Sequence, residues 1–187
     1  MGYTHYWYLA QSRTGRISED ALAKVRAVIA KYRGILAYET DEPNKSPVVS
    51  PNLIRFNGIG GSGYETFYFE YPPDASSQRQ RWQVYGGADA NGPIFSFCKT
   101  ANHAYDPAVC ECLLILKADL GPAMTLSSDG VGSPTDIDRG WQGPMDIMRG
   151  MGYTVSIRDK EIFVDKPVTV VQHMREGRPV RQHRRRK

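Results

Sequence analysis

The stretch from Asp106 to Pro122, DPAVCECLLILKADLGP, constrains the fold more than any other part of the chain. Asp106 suits the N-cap of a helix, because a short carboxylate accepts from the free amides of the first turn. Pro107 fits the first helical position, where a missing N–H costs nothing and φ is already helical. Gly121-Pro122 ends the element, since glycine tolerates the conformation that follows a helix and proline cannot extend one. Between these signals Ala108, Val109, Cys110, Cys112, Leu113, Leu114, Ile115 and Leu116 are apolar on nearly every side. A helix with no face for water belongs in the middle of a core. The spacing therefore predicts a buried central helix over 106–120.

Strands are expected on both sides of it, at Ile94–Cys98 and Met124–Ser127. A β-α-β crossover from Ile94 to Ser127 would make them parallel and bring their ends to one rim. At the N-terminus Tyr3, His5, Trp7 and Leu9 alternate with Thr4, Tyr6 and Tyr8, and the aromatic density favours a strand. Ser18 is a helix cap followed by Glu19 and Asp20 in the first turn; Leu22, Val25, Ile29 and Tyr32 recur at helical spacing, and Gly34 is read as the stop. Leu53–Asn57 and Glu65–Tyr71 read as strands joined by GIGGSG. The polar stretches 40–51 and 72–92 read as loops, the second with a short strand near Trp82–Tyr85. A short helix over Pro144–Arg149 precedes a hairpin, Tyr153–Ile157 with Ile162–Val164, turning at Asp159-Lys160. Helices and strands do not alternate regularly. The expected class is α+β: a mixed, largely antiparallel sheet packed by the 18–33 and 106–120 helices.

At 187 residues the chain fits one domain, read as residues 1–165, with a C-terminal tail at 166–187. The three cysteines are an odd number and two lie in the apolar helix, which fits reduced thiols better than a disulfide framework. No apolar run approaches the ~20 residues that span a bilayer. The first residues lack the basic and apolar regions of a signal peptide, and Tyr6 occupies the position where a myristoylation motif wants Ser or Thr. A cytoplasmic protein is expected.

Charge is distributed very unevenly. Residues 170–187 carry six Arg and one Lys against the single Glu176, a net of +6, while the whole chain carries only +4, so residues 1–169 sum to −2. A V-x-Q-H-x-R unit repeats within this tail, at Val170–Arg175 and Val180–Arg185. Few apolar groups accompany the charge, so the tail is expected to be disordered alone. Arg175, Arg178, Arg181, Arg184, Arg185, Arg186 and Lys187 are the candidates for contact with nucleic-acid phosphates or an acidic protein surface.

The body carries several chemical clusters. Gly58–Gly63 matches G-x-G-x-x-G, but a strand rather than a helix follows, so a plain hairpin loop is the stronger reading. Phe97-Cys98-Lys99-Thr100, with His103, Tyr105 and Asp106, ends a strand; Ser127-Ser128-Asp129-Gly130 ends another. Lys99, Thr100, His103, Ser127, Ser128 and Asp129 are the candidates for a small anionic ligand on a shared rim. The competing reading makes Cys98 a core residue, Asp106 a cap and Tyr105 a packing residue; as a nucleophile Cys98 would need a neighbouring His or Lys. Asp129, Asp136 and Asp138 are read as turn residues rather than cation ligands. Cys110 and Cys112 face different ways on one helix, and His5 is read as a packed residue, so no metal site is assigned. Ser, His and Asp are present without a G-x-S-x-G elbow to order a triad. No cofactor is implied.

Gly2-Tyr3-Thr4-His5-Tyr6-Trp7 and Phe97-Cys98-Lys99-Thr100…Tyr105-Asp106, with Arg55-Phe56-Asn57-Gly58 and Ser127-Ser128-Asp129-Gly130, resemble a family of small proteins found mainly in bacteriophage genomes. The resemblance runs in patches over residues 2–150, departs at 72–92, at Gly143-Pro144 and after 152, and implies a phage-encoded context without an activity. The expected function is a non-enzymatic accessory or virion-associated protein whose tail binds nucleic acid or an acidic protein surface. The alternatives are a nucleotide or small-anion domain using the rim, with or without catalysis, and an antagonist of host defence acting by protein contact.

Overall fold

In the computed structural model, which describes residues 3–11, 15–72, 92–167, 174–175 and 178–179, the chain opens with strand β1 (Thr4–Leu9). His5, Trp7 and Leu9 are buried on one face and Tyr8 is exposed on the other, as the alternation implies. Helix α1 (Glu19–Lys31) starts at Ser18, whose hydroxyl accepts from the Ala21 amide at 3.2 Å. Short strands β2 (Leu36–Ala37) and β3 (Val48–Val49) lead to β4 (Leu53–Gly58), which pairs antiparallel with β5 (Phe67–Glu70) across the glycine-rich loop. Strand β6 (Ile94–Lys99) runs into helix α2 (Asp106–Leu120) and out through β7 (Met124–Ser128). Strands β8 (Val131–Ser133) and β9 (Asp136–Ile137) precede helix α3 (Arg139–Gly150), and β10 (Thr154–Arg158) turns into β11 (Glu161–Asp165).

The main sheet has the order β10-β11-β7-β1-β6. Strand β1 is antiparallel to both β6 and β7, so those two are parallel to each other with β1 between them. Residues 94–128 thus form the expected β-α-β crossover, within an α+β fold whose paired strands are antiparallel. Helix α2 lies at the centre, buried from Ala108 to Ala118, with α1 and α3 packed against it. The smaller sheet around β4 closes the core by setting Phe67 and Phe69 against Trp7, with ring centroids 5.7 and 5.8 Å away. Two charged groups on α2 are buried yet paired. Glu111 accepts from Lys31 Nζ at 2.6 Å and Tyr32 Oη at 2.8 Å, and Lys117 donates to the Met124 carbonyl at 2.5 Å. A buried charge left alone would cost far more than these bonds return.

Three local expectations need correction. Tyr105, not Asp106, is the N-cap residue of α2, and its side chain makes no capping bond; the Asp106 carboxylate turns inward instead. The last helix begins at Arg139 rather than Pro144, because Asp138 caps it by accepting from the Gly140 amide at 3.0 Å. Pro144 then lies within the helix, on the buried side with Trp141, Met145 and Met148. Helix α1 ends at Lys31 with a turn that does not place Gly34 in the left-handed region. In the tail, the described residues form the paired strands β12 (Met174–Arg175) and β13 (Arg178–Pro179). The rest of the tail, the strand read at Trp82–Tyr85 and Gly2 lie outside the described residues.

Candidate functional site

Three elements bring polar side chains to one buried point. His5 projects inward from β1, Asp106 and Cys110 face it from the first turns of α2, and Ser128 stands at the end of β7. His5 Nδ1 is 2.9 Å from Ser128 Oγ, and Nε2 is 2.7 Å from Asp106 Oδ1. Thr100 Oγ1 donates to the same Asp106 oxygen at 2.5 Å. Ser128 Oγ also accepts from Trp141 Nε1 at 2.9 Å and from the Gly130 amide at 3.1 Å. The imidazole is wedged edge-on between Tyr3 and Trp141, with centroids 5.4 and 5.2 Å away.

These bonds fix the proton positions. Two N–H donors occupy the lone pairs of Ser128 Oγ, so its hydroxyl must donate, and the nearest acceptor is His5 Nδ1. The ring proton therefore sits on Nε2 and points at Asp106. Ser, His and Asp are in line, an arrangement that no linear motif announces. It does not make a nucleophile: the serine oxygen is committed to two donors, only 8% of Ser128 is exposed, and His5 is wholly buried. A hydroxyl that cannot reach a substrate cannot attack one.

The rim residues separate by face. Lys99 and Asp129 flank Thr4 from opposite sides, on the parallel strand ends the crossover requires, about 10 Å apart at two strand spacings. Asp129 is engaged locally, its Oδ2 accepting from the Thr4 amide at 3.0 Å and its Oδ1 from Tyr6 Oη at 3.2 Å. Lys99 instead leans toward Tyr64, 5.4 Å from the ring centroid, beside His103, which donates from Nδ1 to the Gly61 carbonyl at 3.1 Å. Thr100 and Ser128 belong to the buried network and Ser127 to the other face of the sheet, so the six candidates do not line one pocket. The glycine-rich loop is no phosphate cradle either: the Gly60, Ser62 and Gly63 amides are bonded to Thr40, Ile59 and Gly60 carbonyls.

Burial pushes the thiols of Cys98, Cys110 and Cys112 up, away from the thiolate a nucleophile needs. Cys98 is a core residue whose neighbours are the Glu65 carbonyl and the Tyr105 hydroxyl, not a base. Asp138 caps α3, Asp136 is exposed, and Asp129 is engaged with Thr4 and Tyr6. Among the described residues, the one cluster of three or more His, Cys, Asp or Glu with ligand atoms near enough to share a metal ion is His5, Asp106 and Cys110. Of the tail candidates, Arg175 and Arg178 are backbone partners in the register of β12 and β13, and Arg181, Arg184–Arg186 and Lys187 lie outside the described residues.

No protein-family model matches the chain, and comparison with curated proteins and with solved structures likewise returns no match.

Proposed function

We propose that this chain is a non-enzymatic nucleic-acid-binding accessory protein, phage-encoded as the sequence resemblance implies, whose Arg-rich C-terminal segment supplies the affinity. The observation that carries this reading is the segregation of charge: +6 over residues 170–187 against −2 over residues 1–169. Cationic side chains on phosphates release condensed counterions, and that gain needs no preformed pocket. The body supports the same reading by what its reactive groups are doing. Ser128, His5, Asp106 and Thr100 bond to one another in a buried network, and Asp129 and His103 bond to their own neighbours. Among the described residues no helix is long and apolar enough to cross a membrane, and the proposed setting is the host cytoplasm or the virion.

The test is the salt dependence of binding to labelled duplex DNA and single-stranded RNA, read by fluorescence anisotropy. Log affinity is expected to fall linearly with log salt, by up to about 0.9 per phosphate neutralised on duplex DNA. Changing Arg184, Arg185 and Arg186 together to Ala should weaken binding almost equally on all sequences and flatten that slope. Salt-insensitive binding that survives the triple change would move the interface onto the body. An absence of binding at low salt would remove nucleic acid as the partner and leave an acidic protein surface in its place.

A further inference from the structure

We propose that His5, Asp106 and Cys110 form a structural zinc site that ties β1 to the start of α2. Asp106 and Cys110 lie four apart on α2 and so share a face, and His5 meets them from the neighbouring strand. Their ligand atoms all lie within 4.8 Å of one another. Cys110 Sγ is 3.8 Å from His5 Nε2 and 3.8 Å from Asp106 Oδ2. Around a tetrahedral zinc, with Zn–S of about 2.3 Å and Zn–N or Zn–O of about 2.0 Å, those edges come to roughly 3.6 Å. The sulfur is therefore already at a coordination distance from both partners. The ligand oxygen is Oδ2, the one Cys110 Sγ approaches; the 2.7 Å hydrogen bond from His5 goes to Oδ1, which also accepts from Thr100, and that bond has to open.

A second observation points into the same place. Tyr3 Oη is buried and has no hydrogen-bond partner, and Tyr3 is 7% exposed. It lies beside the free side of Asp106: a Cβ added at Gly140 would sit 3.0 Å from Tyr3 Oη and 2.8 Å from Asp106 Oδ2. A donor there without an acceptor is a cost that native interiors rarely carry, and a zinc-bound water held by Tyr3 removes it while completing four-coordination. The change of proton costs the shell one bond. When Nε2 turns its lone pair to the metal, the ring proton moves to Nδ1 and points at Ser128 Oγ, where it replaces the longer of the two present donors, the Gly130 amide at 3.1 Å, beside Trp141 Nε1. The Ser128 hydroxyl then turns to the Thr4 carbonyl, 3.4 Å away. Zinc binding converts the neutral Cys110 thiol to thiolate and releases its proton to solvent. The +2 ion then faces one thiolate and one carboxylate, a net charge of zero in a core that tolerates little else. Thiolate with imidazole favours zinc over the hard cations.

The experiment uses the full chain, produced in medium supplemented with zinc or cobalt(II) and passed over a chelating resin. One ion per chain is expected, with a thiolate-to-cobalt charge-transfer band in the cobalt form. Cys110→Ser should lose the band, and Cys112→Ser, two positions along the same helix, should keep it. Should Cys110→Ser fail to fold, the unsubstituted chain still decides: adding zinc to chelator-treated protein in unbuffered solution should release protons and raise the melting temperature with metal concentration. A folded chain that retains no metal and releases no protons overturns the site, as does a band that persists in folded Cys110→Ser. Neither result bears on tail-mediated binding.

Discussion

At the scale of single residues, the core holds an unusual number of protons. Tyr3, Cys98, Tyr105, Cys110 and Cys112 are all pushed above their ordinary values, in each case first by burial and then by neighbours that include Asp106, Glu65 or Glu111. Each is neutral when protonated, so the folded chain keeps protons that the unfolded chain releases above about pH 8.5 for thiols and about pH 10 for phenols. The folded state then binds more protons than the unfolded one, and stability, complete below those values, falls as pH rises through them. Metal-free protein should therefore show a urea midpoint that drops steadily from about pH 8.5 upward. A midpoint unchanged to about pH 10.5 would mean that these groups are open to solvent in the native state. The residues that matter most here were only half legible in the sequence. Alternation along β1 correctly sends His5 inward, but nothing in the spacing of residues 5, 106, 110 and 128 says that they meet. Asp106 was ambiguous because the residue type that caps a helix is also one that reaches back into a core. Only the crossover, which sets β6, β1 and β7 side by side, resolves the ambiguity.

At the scale of elements, α1, α2 and the β10–β11 turn are legible in the sequence and the extent of α3 is not. Proline at the start and glycine at the end bounded α2 to the residue, Ser18 began α1, and Asp159-Lys160, both at positive φ, make the β10–β11 turn. The start of helix α3 is hidden in the sequence, because Gly140, Gly143 and Pro144 depress helix propensity and obscure the buried stripe of Trp141, Met145 and Met148. Those two glycines should respond oppositely to the same substitution. A Cβ at Gly143 meets nothing within 4 Å, so Gly143→Ala should stabilise the protein by roughly 1 kcal/mol through propensity alone. At Gly140 the added carbon presses on Asp106 Oδ2 at 2.8 Å and Tyr3 Oη at 3.0 Å, both on buried side chains. Overpacking of that kind costs about 1–3 kcal/mol, which outweighs the propensity gained. Gly140→Ala should thus lower the melting temperature by several degrees while Gly143→Ala raises it, as calorimetry of the two variants would check. A rise in both would show that the space beside Asp106 yields easily, and that Gly140 is not required by its neighbours.

At the scale of the whole molecule, one part supplies the packing and another the charge. The core closes without residues 170–187: α2 is covered by α1, α3 and strands β7 and β11 of the main sheet, and β11, the last strand of that sheet, ends at Asp165. Residues 170–187 have few apolar side chains, Val170, Val171, Met174, Pro179 and Val180 among many Arg, Gln and His. A segment with so little to bury contributes little to the stability of the domain it follows. It dominates the electrostatics instead, since removing it takes the chain from +4 to −2 at pH 7. Deleting residues 170–187 should leave the melting temperature within a few degrees of the full chain. The same deletion should reverse ion-exchange behaviour at neutral pH, from retention on a cation exchanger to retention on an anion exchanger, and abolish binding to DNA. A large loss of stability would mean that the segment packs against the body or a second copy. Its arginines would then be structural partners of the acidic surface, not free ligands for phosphate, and the division between packing and charge would be wrong.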